Sequence, residues 1–151
     1  MPQSDLYARD FYAWANQQAA LLRAGDLLAA DVENIAEEIE SMGRSERREL
    51  VNRLVVLMLH LLKWRFQPGL RGNGWRLSIK EQRLRLASHM RDNPSLKSQL
   101  DGAVEEAYRL ALIEAERETG LTSETFPAIC GWSHEQMMDA EFWPESGSST
   151  Q

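Results

Sequence analysis

The stretch Ser45–Phe66, SERRELVNRLVVLMLHLLKWRF, decides the fold. Between Leu54 and Leu62 its apolar side chains occupy most of the circumference of a helix. Such a helix sits at the centre of a domain, covered by neighbours on several sides. The longest unbroken apolar run, Leu54–Leu59, is six residues, or nine if it is carried through His60 to Leu62. A membrane span needs about 18 or more. The stretch therefore reads as the core helix of a soluble protein.

Helical periodicity extends to both sides of it. Upstream, residues 5–24 read as one amphipathic helix carrying Tyr7, Phe11, Trp14, Gln18 and Leu22, with Ser4 or Asp5 to cap it and Gly25 as a left-handed stop. Residues 31–42 place Val32, Ile35, Ala36, Ile39 and Met42 on one face and Glu33, Glu37 and Glu40 on another, with Asp31 as the N-cap. Gly43 either ends that helix or lies inside one long helix at a cost of about 1 kcal/mol relative to Ala.

Downstream, residues 67–74 form a glycine-rich loop and 75–91 a helix with apolar residues on two sides. Trp75, Ile79, Leu86 and Met90 share one side; Leu77 and Leu84 share the other. Asn93-Pro94 breaks that helix, and residues 96–118 form the next, with Gly120 just beyond its end. Ser133-His134-Glu135-Gln136 is a capping box for a short turn, and Phe142-Trp143-Pro144 closes the ordered part. No strand pattern stands out. The predicted fold is all-α: one helical bundle of four to five main helices over residues 1–145, with a flexible polar tail at 146–151.

Composition agrees. The chain has 151 residues, 43% hydrophobic and 26% charged, with nine Gly and five Pro, which excludes a disordered or low-complexity chain. Its single cysteine, Cys130, cannot form an internal disulfide. The start, Met1-Pro2-Gln3-Ser4-Asp5, has neither the basic end nor the apolar core of a signal peptide. Both observations point to the cytoplasm.

Several stretches together resemble a known family. They are Tyr7-x-x-Asp10-Phe11-Tyr12-x-Trp14, Glu33-Asn34-Ile35-x-Glu37-Glu38-Ile39-Glu40-Ser41, His60-Leu61-Leu62-Lys63-Trp64, Trp75-Arg76-x-Ser78-Ile79-x-Glu81-Gln82-Arg83, Asn93-Pro94-Ser95-Leu96, Glu118-Thr119-Gly120-Leu121 and Phe142-Trp143-Pro144. The chain is similar over about residues 5 to 145 to a bacterial family catalogued as domain of unknown function twenty-nine. The resemblance implies a small, all-helical, cytoplasmic protein and brings no assigned activity or catalytic residue. Cys130-Gly131 stands where the family pattern has Cys-Pro.

Charge is unevenly spread. The net charge of −6 divides into −6 over residues 1–43, +9 over 44–91 and −9 over 92–151. Two readings stay open: basic and acidic helices dock on one another, or the basic middle binds nucleic acid or another anion through Arg76, Lys80, Arg83 and Arg91. The acidity of the rest favours the first.

Catalytic signatures are absent: no Gly-x-Ser-x-Gly, Cys-x-x-Cys or phosphate-loop spacing. His60 is the one candidate functional histidine, as a buried base or ligand. Its helical neighbours Val56, Leu57, Lys63 and Trp64 offer no carboxylate, Cys or His, so a hydrogen-bonded core residue is the simpler reading. Cys130 and His134 supply two metal ligands where zinc takes three or four. The glutamate stripe 33/37/40, even joined by Glu114 and Glu118, reads as a solvated or salt-bridged face.

The expectation is therefore no metal, no cofactor and no membrane. The function stays unknown, best read as a non-catalytic protein-interaction or regulatory module, with nucleic-acid binding the alternative. The second apolar face, Leu77 with Leu84, must be covered, either by the aromatic tail Phe142-Trp143 or by a second copy in a homodimer. Replacing Leu57 or Leu61 with Asp forces an unpaired charge into the core and should abolish soluble folding. Soluble, cooperatively melting variants at both positions would contradict the central-helix assignment.

Overall fold

The computed structural model describes residues 3–145, so the expected tail at 146–151 lies outside the described residues. Among the described residues six α-helices are joined by short loops and three short 3₁₀ segments, and there is no strand. The helices are α1 (Gln3–Arg9), α2 (Phe11–Arg23), α3 (Val32–Phe66), α4 (Asn73–Asp92), α5 (Leu100–Thr119) and α6 (His134–Met138). The all-α reading holds. The contacts group into two units, Met1–Ser45 and Glu46–Gln151.

In the first unit, the helix expected over 5–24 is two helices. Asp10 leaves helical geometry at φ −147° and ψ 83°, and its carboxylate accepts the Ala13 N–H at 3.1 Å. An aspartate that caps a following helix competes with continuing the preceding one. Gly25 takes the left-handed conformation at φ 75°, as its place after the helix requires. Asp31 then opens α3, its backbone carbonyl accepting the Ile35 N–H at 2.9 Å.

Gly43 lies inside α3, which runs unbroken for 35 residues. A β-carbon built there would meet nothing within 4 Å. Of the two readings left open at Gly43, the single long helix is the one the structure has.

The second unit is built around the C-terminal part of α3. Leu50, Leu54, Leu57, Met58 and Leu61 are fully buried, joined by Ile79 and Leu86 of α4. Helix α5 contributes Ala103, Ala107, Ala111 and Ala115, each fully buried. One small residue every fourth position makes a narrow ridge on a single helix face. Residues 96–99, expected as the first turn of the helix over 96–118, belong instead to a 3₁₀ segment, Pro94–Gln99. Pro94 at its start has no N–H, and no side chain caps the turn. Gly120, at φ 74°, ends α5. Ser133 caps α6 by accepting the Gln136 N–H at 3.1 Å, as the capping box predicts.

The chain's end is fastened by cations. Arg83 is buried at 6% exposure. Its guanidinium donates to the Met137 carbonyl at 2.7 Å and the Phe142 carbonyl at 2.6 Å. Trp143 stacks on Trp64 at 4.6 Å, and Arg71 donates to the Trp64 carbonyl at 2.7 Å.

Gly43→Ala should stabilise the protein by about 0.5–1 kcal/mol, because an open, helical glycine gains helix propensity at no steric cost. Gly120→Ala should destabilise it by about 1–3 kcal/mol, since Ala resists the left-handed conformation. Chemical denaturation of the two variants measures both.

Candidate functional site

The first unit carries an open apolar groove of about 440 Å³ between α2 and the N-terminal part of α3. Phe11, Ala15, Ala19 and Leu22 face it from α2 at intervals of three or four residues; Ile35, Ile39 and Met42 face it from α3. The bulky residues stand at the ends of the α2 row and the alanines in its middle, which hollows the surface. Phe11, Leu22, Ile39 and Met42 are 44–61% exposed.

Polar links hold the two walls together. The Trp14 indole donates to Asp31 Oδ2 at 3.1 Å, and the Asp31 N–H donates to Gln18 Oε1 at 2.7 Å. Tyr7 donates its hydroxyl to Glu38, which raises the phenol to about 12. Asp31 also accepts Asn34 Nδ2 at 2.8 Å, and chiefly for that reason its carboxyl lies below the ordinary value. The stability Asp31 lends is thus present above its unfolded pKa and lost as pH falls through the lower folded one. Gln18 is 2% exposed, and its Nε2 has no partner. Glu38 is the one acid lining the groove; Glu33, Glu37 and Glu40 are exposed on the opposite face of the same helix.

The residues singled out from sequence disperse. Leu77 and Leu84 are 48% and 65% exposed, so the aromatic tail does not cover them. Arg76, Lys80 and Arg91 are exposed on α4, with Arg76 donating to Asn73 Oδ1 at 3.1 Å. Arg83 departs from the expected stripe, because its guanidinium is spent on the Met137 and Phe142 carbonyls. The segment expected as a loop over 67–74 is a 3₁₀ turn, Pro68–Leu70, followed by the start of α4 at Asn73, and Arg71 between them donates to the backbone carbonyls of Trp64 and Pro144.

His60 is half-buried, and its Nδ1 donates to the Val56 carbonyl at 2.8 Å. Burial holds it below the ordinary histidine value, so the ring is neutral at pH 7. Lys63, one turn on, is buried, paired with Glu118 and lies over the Trp75 ring at 5.6 Å. Cys130 donates to the Trp132 carbonyl at 3.4 Å, and burial pushes its thiol up. That is the opposite of what a nucleophile needs.

One cluster escaped the sequence reading. Glu46 and Glu49, one turn apart on α3, meet His89 of α4, with ligand atoms all within 4.8 Å of one another. His89 is 7% exposed; its Nε2 donates to the Glu46 carbonyl at 2.8 Å, and its Nδ1 lies 3.3 Å from Glu49. Glu49 also takes Arg53 Nε at 3.1 Å. The three side chains offer one ligand atom each, a number that suits a divalent cation completed by water. The i, i+3 spacing of the glutamates was visible in the sequence, but nothing local pointed to a histidine forty residues away.

Comparison with known proteins identifies the family. Residues 6–143 match the family described as Domain of unknown function DUF29. The chain belongs to that family. No curated protein and no solved structure matches it. The match assigns no function, so function has to be argued from the surfaces described above.

Arg83→Gln should cost about 2–4 kcal/mol, since it leaves buried carbonyls without their charged donor. Arg76→Gln, Lys80→Gln and Arg91→Gln should each change stability by less than about 0.5 kcal/mol. Thermal melts of the four variants check the contrast.

Proposed function

We propose that this DUF29 chain is a non-catalytic protein-interaction module of the bacterial cytoplasm, and that the groove of the first unit is its docking face. One observation carries the reading: a hollowed apolar surface with bulky, half-exposed ends. Contiguous exposed apolar surface marks binding sites. Two facing helices with a valley between them suit a third, amphipathic helix, read through residues one turn apart.

The titratable groups support a binding role over chemistry. His60 and His134 are held uncharged at pH 7 by burial, Cys130 is held as the thiol, and Lys63 is committed to Glu118. The nucleic-acid alternative loses Arg83 to the interior, which leaves three exposed cations of the four that carried it.

A photo-crosslinking amino acid at Met42, expressed in cells, should give a discrete adduct that Ile39→Glu abolishes. The same group at Leu110, an exposed apolar position of the second unit, serves as the control. No adduct above that control would overturn the docking role.

A further inference from the structure

We propose that the second unit binds a small anion with an apolar body, in the hollow between α4 and the chain's C-terminal segment. The hollow has a volume of about 280 Å³ and is lined by Arg76, Lys80, Arg83, Leu84, Ala140 and Trp143. Arg76, Lys80, Arg83 and Leu84 fall at i, i+4, i+7 and i+8, so they share one face of α4. From the C-terminal segment, Ala140 leaves room and Trp143 supplies an indole. All six lie in the second unit, so the site is independent of the docking role proposed for the first.

Three of the lining residues are cations and none is an acid. The chain as a whole carries −6, and other bases on it find acids: on the same helix Arg85 pairs with Glu81 at 2.7 Å. Arg76, Lys80 and Arg83 take part in no ion pair among the described residues. Arg76 donates to the neutral Asn73 Oδ1, and Arg83 to the Met137 and Phe142 carbonyls. Those carbonyls satisfy the N–H groups of Arg83 and leave its charge uncompensated. Burial lowers the Arg83 guanidinium below its ordinary value, and the attraction of Asp139 opposes this without overcoming it. A charge held away from water with no carboxylate on it lacks its usual partner. An anion in the hollow supplies one.

The lining also defines the ligand. Arg76 and Lys80 are exposed, so they can turn onto a charged group, one as a fork and the other as a point charge. Arg83 adds its field. By tying the Met137 and Phe142 carbonyls to α4, it also holds the two walls in place before a ligand arrives. Leu84, Ala140 and Trp143 suit an apolar or aromatic body attached to the charged group. The volume stands at the lower edge of small-molecule pockets, which run from about 300 to 1,000 Å³. It suits a single ring carrying one phosphate or carboxylate, and not a length of nucleic-acid backbone.

Phenyl phosphate and benzoate are the probes; inorganic phosphate and benzyl alcohol each lack one half of the chemistry. Titration calorimetry at about 0.05 M salt should show at least one probe binding, and both half-ligands about tenfold weaker or silent. Which probe binds tells phosphate from carboxylate. Arg76→Gln with Lys80→Gln should weaken binding about tenfold or more. Ala140→Leu, which fills the hollow, should do the same without removing a charge. Arg91→Gln, an exposed cation of α4 outside the hollow, should leave binding unchanged. All of these positions are exposed, so each variant should melt as the wild type does; if the double variant does not, Ala140→Leu decides. No binding of either probe at millimolar concentration would overturn the proposal. So would a loss from Arg91→Gln equal to that from Arg76→Gln, or a thymidine oligonucleotide that binds more tightly than either probe and is indifferent to Ala140→Leu. Both patterns belong to a diffuse basic surface.

Discussion

A helix that is apolar around its circumference must be covered on every side, and the second unit is organised around that constraint. Each fully buried leucine of α3 is worth about 1.5–3 kcal/mol relative to exposure. Water can be excluded from the whole surface only if several segments surround it. Helix α4 brings Ile79 and Leu86, α5 brings its alanine ridge, and the C-terminal segment brings Phe126 and Met137. The same helix is apolar on one face only in its N-terminal part, where Ile39 and Met42 stand open to solvent. One continuous helix thus serves as a core along half its length and as an open apolar wall along the other.

Burial also explains why the basic middle of the chain is not simply a basic surface. Lys63 and Arg83, two of its twelve bases, lie inside the fold. Each meets what a buried charge needs: Lys63 has the Glu118 carboxylate and the Trp75 ring, and Arg83 has two carbonyls in a planar fork. Arginine suits the second role because its several donors can reach two backbone segments at once. A charge count along the sequence has no means of separating such cations from exposed ones.

What could be read in advance follows from how local each determinant is. The density of leucine between Leu54 and Leu62 locates the central helix without reference to anything distant. Gly25, Gly120 and Ser133 act within a few residues, and all three perform the stop or cap their chemistry suggests. Asp10 was equally local but ambiguous, because an aspartate inside an amphipathic stretch either points to solvent or caps. The apolar faces of residues 5–24 and 31–42 were legible, but that they form one hollow depends on how two helices lie together. The meeting of His89 with Glu46 and Glu49, and of Arg83 with the chain's end, depends on packing between segments some forty or more residues apart.

Residues 41–46 of α3 are all exposed, and they fall where the first unit gives way to the second. The amide groups there are protected by little beyond their own helical turn and by side-chain pairs such as Arg44 with Glu37. Hydrogen bonds so placed open at low free energy, independently of the buried core further along the same helix. The two units are therefore joined through exposed turns of one helix. Unfolding need not be all-or-none, and a single transition midpoint would average two different stabilities.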